Sequence, residues 1–205
     1  MYEGATGLAD KSACAELIQN WGIFRDRGLW KELRATFTPD GRISVSWFCG
    51  AFAEFVERCR ASHGTGSWSR HHLFVPAITL CGDRAMGETA VVIRVRQPLN
   101  GLKVDLTACA RFLDRLERHP GGWLIAERAA IYERDRLDPV EPSPAFDDVL
   151  RTADAAQYPE QYRYMAFRLA QSPGRSLAPV VYRDGGPETA ALYARFGGWL
   201  EGKTP

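Results

Sequence analysis

The sequence contains no apolar run approaching the roughly 20 residues that a membrane-spanning helix needs. At the N-terminus, MYEGATGLADKS lacks the basic region followed by an apolar region that marks a secretory signal peptide. Both absences argue against a membrane protein and against an exported one. We therefore expect a cytoplasmic protein that has no membrane partner.

An excess of charge of one sign is also lacking. The 205 residues include 26 basic and 25 acidic side chains, well interspersed, for a formal net charge of +1. A protein that binds nucleic acid usually carries a basic patch or stripe that neutralises phosphates. The balanced composition therefore argues against a nucleic-acid partner.

Cysteine is scarce and scattered. The five residues are odd in number, and the sequence has neither a C-x-x-C motif nor cysteine and histidine at metal-ligand spacing. A disulfide framework and a structural zinc site are therefore disfavoured. We expect buried free thiols in a reducing compartment and no metal site. The cysteines are Cys14, Cys49, Cys59, Cys81 and Cys109.

Apolar residues, by contrast, make up 45% of the chain, and aromatic residues make up 11%, which is enough for a substantial core. Apolar spacing predicts helices over 13–25, 29–37 and 51–61. Asp10 or Ser12 is the expected cap of the first helix. The chain thus begins with a largely helical part.

Strand patterns dominate the next part of the chain. Thr38-Pro39-Asp40-Gly41 predicts a turn, and 42–48 predicts a strand before the third helix. After that helix, four longer strands with short turns suggest an antiparallel meander. They cover 71–82, 87–96, 102–118 and 123–137. The element order indicates an α+β fold, with helices packed on one face of a curved sheet and a concave pocket between them.

The last quarter of the chain has a different texture. Residues 138–148, DPVEPSPAFDD, are Pro-rich and acidic and predict a linker after a first domain over 1–140. The remainder, 141–205, carries helical patches with apolar stripes. We expect this extension to pack on the first domain as a cover, or against a second subunit of a homodimer or homotrimer.

Two of the four histidines stand side by side in SWSRHHLFVP, where a strand begins. Because side chains alternate along a strand, His71 and His72 point to opposite faces, and one of them can face a pocket. The alternative is a histidine that is merely hydrogen-bonded at a strand end. Asp26, at the end of the first helix, is either a functional carboxylate or a solvated one beside two arginines.

Alternation also assigns an inner face to the later strands. Ala108 and Phe112 belong to the apolar set of the third long strand, and Val91 belongs to the inner set of the second. In the last strand, Arg128 shares a face with Tyr132. Arg128 is therefore either an inward cation that can stabilise a developing anion or a surface arginine paired across strands.

The order and spacing of these segments resemble the SnoaL-like branch of the nuclear-transport-factor-2-like superfamily, which includes polyketide cyclases, scytalone dehydratase and hexachlorocyclohexane dehydrochlorinase. The resemblance covers roughly residues 8–138. It is carried by FRDRGLWKELRATFTPDGRI, SRHHLFVPAITLCGDRAMGET and RFLDRLERHPGGWLIAERAAIYERD. It implies a cone-shaped, antiparallel-rich sheet with helices on its concave side, here followed by a helical C-terminal extension.

The resemblance also implies functional residues. In the dehydratase and dehydrochlorinase members, an aspartate at the end of the first helix pairs with a histidine at this strand start, and these positions are Asp26 and His71. Arg128 falls on an active-site arginine of the dehydrochlorinase. Arg25 stands where scytalone dehydratase has a tyrosine, so we expect the dyad chemistry rather than the same reaction. Further candidates for contact with a substrate are Tyr132, Trp47, Phe112, Ala108, Val91 and His72.

An aspartate–histidine dyad has a clear chemical use. The carboxylate holds Nδ1–H and stabilises the imidazolium, so that Nε2 acts as a base with a pKa near roughly 6.5. No metal or organic cofactor is required. We therefore expect a cofactor-independent lyase, of the dehydratase or deformylase type, that acts on a hydrophobic and aromatic small molecule. The C-terminal extension resembles longer SnoaL-like proteins associated with bacterial breakdown of lignin-derived diaryl compounds.

Three alternatives remain open from the sequence. An isomerase or cyclase can use the same dyad without changing the mass of its substrate. A non-catalytic module can use the pocket to bind a ligand or the fold to assemble. The β subunit of a ring-hydroxylating oxygenase, also a member of the superfamily, requires association with a larger iron-containing chain.

Overall fold

A computed structural model describes residues 5–66, 68–152, 155–172, 174 and 176–203. Helices and strands alternate in the first part of the chain, long strands fill the middle, and short helices end it. The α-helices are α1 Ala5–Arg27, α2 Trp30–Arg34, α3 Phe52–Ser62, α4 Pro144–Thr152, α5 Arg163–Ala170 and α6 Pro187–Leu200. The strands are β1 Phe37–Val45, β2 Phe48–Ala51, β3 Trp68–Leu73, β4 Ala77–Cys81, β5 Arg84–Leu99, β6 Leu102–His119, β7 Gly122–Pro139 and β8 Tyr182–Arg183.

The described strands form one mixed sheet in the order β2-β1-β7-β6-β5-β3. The long strands β5, β6 and β7 are antiparallel neighbours, whereas β1 runs parallel to β7. Both β3 and β4 pair with β5, and β8 pairs with β7. The α+β class with a curved sheet and helices is confirmed, and so is the meander.

Alternation along the strands correctly predicted the inner face of this sheet. Leu106, Ala108, Ala110 and Phe112 of β6 are buried, while the residues between them are partly exposed. α1 contacts β3, β4 and β7, and α3 contacts β1, so these helices cover the same face. A large apolar cluster fills the space between helices and sheet and contains Ile18 of α1.

Local turn residues led to wrong element boundaries in the first half of the sheet. The segment 38–41 lies within β1, where a register shift against β7 absorbs it, and Phe37 begins that strand rather than ending a helix. The predicted strand over 71–82 is broken into β3 and β4 at Pro76, which lacks the N–H that a continuous ladder needs. Cross-strand pairing thus overrides the turn signal and the apolar run.

The predicted cap of the first helix is also wrong. α1 already includes Ala5, so Asp10 and Ser12 lie inside it. The Asp10 carboxylate instead accepts hydrogen bonds from Arg118 on β6, at 2.9 and 2.6 Å, and from Trp123 Nε1 at 3.1 Å. Asp10 therefore ties α1 to one end of the sheet.

The C-terminal residues cover both faces of the sheet. α4 begins at Pro144, inside the predicted linker 138–148. Residues of α5 reach the interior on the α1 side, whereas Leu192 and Phe196 of α6 pack on the opposite face against Leu113 and Ile131. The extension therefore contributes to both faces of the sheet.

The cysteine expectation is partly wrong. None of the five cysteines forms a disulfide, and Cys14 and Cys59 are buried, but Cys49 and Cys81 are exposed because they lie on short edge strands. Burial raises the pKa of the Cys14 thiol to about 12. Within the described residues, no helix is long and apolar enough to cross a membrane.

Candidate active site

The end of α1 positions the first candidate residue. Gly28, at φ +71°, follows the helix, its N–H donates to Arg25 O at 3.4 Å, and Leu29 N–H donates to Phe24 O at 2.9 Å. This Schellman arrangement ends the helix at a defined residue. It holds Asp26 in the last turn, where the helix dipole opposes a negative charge. Asp26 therefore requires partners outside its own helix.

Those partners come from β3. His71 Nδ1 lies 2.8 Å from Asp26 Oδ1, and the His71 backbone N–H donates to Asp26 Oδ2 at 2.6 Å. α1 approaches β3 closely at Gly22, where an added Cβ would lie 2.9 Å from Leu73 Cδ1. An ionised carboxylate only accepts hydrogen bonds, so Nδ1 carries the proton and Nε2 is the basic nitrogen.

Burial shapes the ionisation of both groups. Burial raises the pKa of Asp26, but the hydrogen bonds and charge of His71 outweigh it, so the pKa lies below its usual value. Burial lowers the pKa of His71; the Asp26 hydrogen bond opposes this, and the charge of Arg25 adds to it. At neutral pH the pair therefore consists of a carboxylate and a neutral imidazole.

The pair lines a cavity of about 460 Å³ between α1, α3 and the sheet. Much of the wall is aromatic: Trp47 stacks on Phe55 at 5.3 Å between centroids, and Trp21 meets Phe112 edge to face at 5.4 Å. Trp21 also meets His71 edge to face at 5.6 Å. The volume lies within the range typical of small-molecule sites, roughly 300–1,000 Å³.

Polar groups line another part of the wall. Tyr132 Oη accepts the backbone N–H of Ser46 at 3.0 Å. Burial raises the pKa of Tyr132, although the Ser46 hydrogen bond opposes the rise, so the phenol keeps its proton and can donate it as a hydrogen bond. Arg168 of α5 is 5% exposed, and its Nη1 donates to Gln97 Oε1 at 2.8 Å. The extension thus supplies a cation to the cavity wall.

Two polar atoms of the cavity wall have no partner within the described protein. They are Ser46 Oγ and Trp21 Nε1, on residues that are each 1% exposed. Buried polar groups are generally hydrogen-bonded, so such atoms suit a polar ligand. No group of three or more His, Cys, Asp or Glu side chains that could hold a metal ion occurs in the described part of the chain.

Arg128 does not line this cavity, which corrects the expected contact with a substrate anion. The residue points inward but is fully buried, with Nε and Nη2 donating to Asp114 at 2.6 and 2.7 Å. Its guanidinium lies over the Trp21 and Phe112 rings, with Cζ at 4.4 and 4.5 Å from their centroids. Arg128 therefore packs against two rings that line the cavity without lining it itself.

The other predicted site residues divide into two groups. Tyr132, Trp47 and Phe112 line the cavity together with Asp26 and His71. The remaining three do not line it: Ala108 and Val91 are buried in the core, and His72 is exposed on the other face of β3.

Sequence reasoning missed several cavity residues, above all the arginines. In the sequence, Arg25 is a departure from scytalone dehydratase, and Arg168 lies in a helical patch of the extension. A signal for Arg168 was present, because it lies three residues after Met165 and so shares a helix face with a predicted apolar stripe. Ser46 carried no comparable signal.

Comparisons with known proteins agree with this architecture. The model of the SnoaL-like domain family matches residues 6–129. Pea pathogenicity protein 2 of Fusarium vanettenii is 27% identical over 157 residues, which are 74% of this chain and 66% of that protein. The chain thus spans slightly less than two thirds of that relative's length.

Two solved structures share the fold at low identity. A provisionally assigned scytalone dehydratase of Novosphingobium aromaticivorans is 17% identical, with a TM-score of 0.56, over 69% of this chain and 94% of that one. A hexachlorocyclohexane dehydrochlorinase, LinA type 2, is 14% identical, with a TM-score of 0.55, over 67% and 93%. Since the family model matches well over half of the residues, this chain belongs to the SnoaL-like domain family.

Proposed function

We propose that this protein is a cofactor-independent lyase that acts on a hydrophobic, aromatic small molecule with His71 as its base and Asp26 as the partner of that base. The observation that carries the proposal is the 2.8 Å contact between His71 Nδ1 and Asp26 Oδ1 in the wall of an aromatic cavity. The fold shared with a dehydrochlorinase and a provisionally assigned dehydratase supports the reaction class.

In a dehydration, His71 Nε2 takes a proton from a carbon of the substrate. The C–H electron pair forms a C=C bond while the C–O bond breaks, and the imidazolium returns the proton to the departing hydroxide, which leaves as water. Asp26 stabilises the imidazolium while it carries the proton. The pKa of His71, lowered by burial, keeps the base unprotonated at neutral pH.

In a retro-aldol cleavage, the same nitrogen takes the proton of a hydroxyl group. A carbonyl forms as the neighbouring C–C bond breaks, formaldehyde or another aldehyde leaves, and the imidazolium protonates the carbanion. Both reactions develop negative charge on the substrate. Tyr132, Arg25 and Arg168 are donors of the cavity wall that can stabilise it, the role that the resemblance implies for Arg128.

The test is a turnover screen without added metal or cofactor. Wild type, His71→Ala and His72→Ala are incubated with hydroxylated aromatic, diaryl and polycyclic compounds, and products are identified by mass spectrometry. His72 is a matched control because it neighbours His71 but is exposed on the other face of β3. We expect kcat/KM to fall about 100- to 10,000-fold in His71→Ala and to be unchanged in His72→Ala.

The product mass distinguishes the reaction classes. Loss of water, formaldehyde or acid supports the lyase, whereas a product of unchanged mass favours an isomerase or cyclase with the same dyad. Turnover that survives in His71→Ala contradicts the dyad. Binding of these compounds without any turnover favours a ligand-binding module.

A further inference from the structure

The C-terminal extension binds two residues of the cavity wall, Ser46 and Tyr132. The Ser46 carbonyl accepts the N–H of Ala178 at 2.8 Å. The Tyr132 carbonyl accepts the N–H of Asp184 at 2.8 Å, and β8 pairs with β7 at Tyr132. The ring of Tyr162 also meets the Tyr132 ring edge to face at 6.1 Å. Both residues are therefore held by a part of the chain that lies outside the family match.

The hydroxyl groups of these two residues are buried neighbours. Ser46 is 1% exposed and Tyr132 is 2% exposed. Tyr132 Oη accepts the Ser46 backbone N–H at 3.0 Å. Burial raises the pKa of Tyr132, and the hydroxyl and the N–H of Ser46 both oppose this rise, so the two side-chain oxygen atoms lie close together. The phenol thus keeps its proton beside a second hydroxyl group.

Both hydroxyls have hydrogen-bonding capacity that contacts within the protein leave unused. Ser46 Oγ has no hydrogen-bond partner among the residues that the structure describes. Tyr132 Oη acts as an acceptor toward Ser46, which leaves its own O–H able to donate. Buried polar groups are generally hydrogen-bonded. Since both residues line the cavity, the pair suits a ligand oxygen atom that accepts from the two hydroxyls together.

The hydroxyl pair and the proposed base reach the cavity from strands that are not adjacent. His71 belongs to β3 and Tyr132 belongs to β7, with β5 and β6 between them in the sheet. Three spacings of roughly 4.8 Å thus separate the two backbones along the sheet. Phe112, on the intervening strand β6, lines the same cavity. An aromatic molecule therefore has room to contact the base and the hydroxyl pair at the same time.

Resting on the function proposed above, we infer that Ser46 Oγ and Tyr132 Oη donate hydrogen bonds to the carbonyl oxygen of an aromatic ketone or aldehyde substrate. When His71 removes a proton from the carbon beside this carbonyl, negative charge collects on the oxygen, and the two donors stabilise it. In the proposed dehydration, this charge returns to expel the hydroxide, which takes the proton from the imidazolium and leaves as water.

Infrared spectroscopy and calorimetric titration test this inference without requiring turnover. The probes are acetophenone and α-methylstyrene, which has the same shape but a CH₂ group in place of the carbonyl oxygen. Hydrogen bonds weaken a C=O bond, so we expect bound acetophenone to absorb at lower frequency in wild type than in Ser46→Ala or Tyr132→Phe. The affinity for acetophenone relative to α-methylstyrene should fall about 2- to 10-fold in each variant, the usual range for one neutral hydrogen bond.

Two matched controls remove hydroxyl groups outside the cavity. Ser44→Ala removes a hydroxyl that lies 3.3 Å from Cys49 Sγ, and Tyr193→Phe removes one that donates to Glu88 at 2.6 Å. Both controls should keep the wild-type C=O frequency and affinity ratio. Thermal melting followed by circular dichroism verifies that each variant is folded.

Kinetics on the substrate found by the turnover screen complete the test. Ser46→Ala retains the backbone N–H that binds Tyr132, so it removes a donor without removing that contact. We expect either cavity variant to lower kcat about 100-fold with a smaller change in KM, because the donors act most strongly when the oxygen is negative.

The inference is overturned if wild type does not bind acetophenone, if the C=O frequency or the affinity ratio is unchanged in either cavity variant, or if the controls change equally. His71→Ala separates this inference from the proposed function, because it retains the C=O frequency and the affinity ratio while losing turnover. Hydroxyl-dependent binding without His71-dependent turnover defeats the proposed function. His71-dependent turnover that survives undiminished in Ser46→Ala and Tyr132→Phe defeats this inference.

Discussion

Two buried carboxylates have partners that both contact the Trp21 ring, but the partners differ in kind. Asp26 binds His71 in the cavity wall, where both side chains keep 9–10% of their surface exposed. Asp114 binds Arg128, and neither side chain is exposed at all. Asp26 and His71, the cavity pair, can contact a ligand, whereas Asp114 and Arg128, the enclosed pair, are surrounded by protein.

The chemistry of the cations follows the same division. A histidine gains and loses a proton near neutral pH, whereas an arginine keeps its proton under all physiological conditions. Asp114 and Arg128 are also direct neighbours in the β6–β7 register, so their two hydrogen bonds join adjacent strands. The cavity pair is therefore the one that our proposal assigns to the chemistry, whereas the enclosed pair joins neighbouring strands of the sheet.

The largest effect is expected from breaking the enclosed pair. Arg128→Met leaves Asp114 buried without its cation, which typically costs about 3–5 kcal/mol of unfolding free energy. Replacing both partners, with Asp114→Leu added, restores most of the stability because no buried charge then remains. Urea unfolding followed by circular dichroism measures both effects.

The control for that variant is Arg136→Met, which removes an exposed pair with Asp138 and should cost only about 0–1 kcal/mol. Equal losses in the two single variants would contradict the structural role. A double variant at Asp114 and Arg128 that folds stably but loses turnover as fully as His71→Ala would return Arg128 to catalysis.

Asp26→Asn is expected to have a smaller effect, and this effect is on the activation free energy of the reaction rather than on unfolding. The asparagine amide can donate to His71 Nδ1, which favours the tautomer that protonates Nε2 and removes the base. We expect kcat/KM to fall about 100-fold or more, with a smaller loss of stability than in Arg128→Met. Steady-state kinetics on the substrate found by the turnover screen provides the measurement. Unchanged kcat/KM would show that the carboxylate does not orient the base.

The sequence allowed the contact within the cavity pair to be predicted, but it did not reveal which residue binds Arg128 in the enclosed pair. The end of α1 and the start of β3 were both recognisable, so Asp26 and His71 could be brought together by resemblance and alternation. Alternation left open whether Arg128 points inward or pairs across strands, and the structure shows that it does both. Alternation could not reveal that Asp114 lies opposite, because that register depends on shifts between β6 and β7.

Long-range contacts explain the other differences between sequence and structure. A position on a strand face does not define where a cavity ends, so Ala108 and Val91 were correctly assigned inward but lie outside the lining. Arg168 reaches the cavity from a helix about 100 residues away from β3 along the chain, and Gln97 holds it there. Such contacts depend on the assembled fold rather than on any local pattern.

The comparison also predicts how the cavity pair, Asp26 and His71, responds to pH. Burial lowers the pKa of His71 below its usual 6.5, so between these two values the unfolded chain binds more protons than the folded protein. Stability therefore falls as pH decreases below about 6.5, and it falls further once Asp26, whose folded pKa lies below 3.8, becomes protonated.

Urea unfolding at a series of pH values tests this dependence in wild type and in His71→Gln. We expect the loss of stability between the folded pKa and 6.5 to be absent from His71→Gln, because glutamine does not titrate. The loss below 3.8 should shrink as well, because the variant also removes the His71 side chain that lowers the pKa of Asp26. The acid limb of kcat/KM in wild type should likewise lie below 6.5, since catalysis requires the neutral imidazole. An identical pH profile of stability in both proteins would mean that His71 is not the titrating group. The cavity pair would then no longer differ from the enclosed pair in gaining and losing a proton near neutral pH.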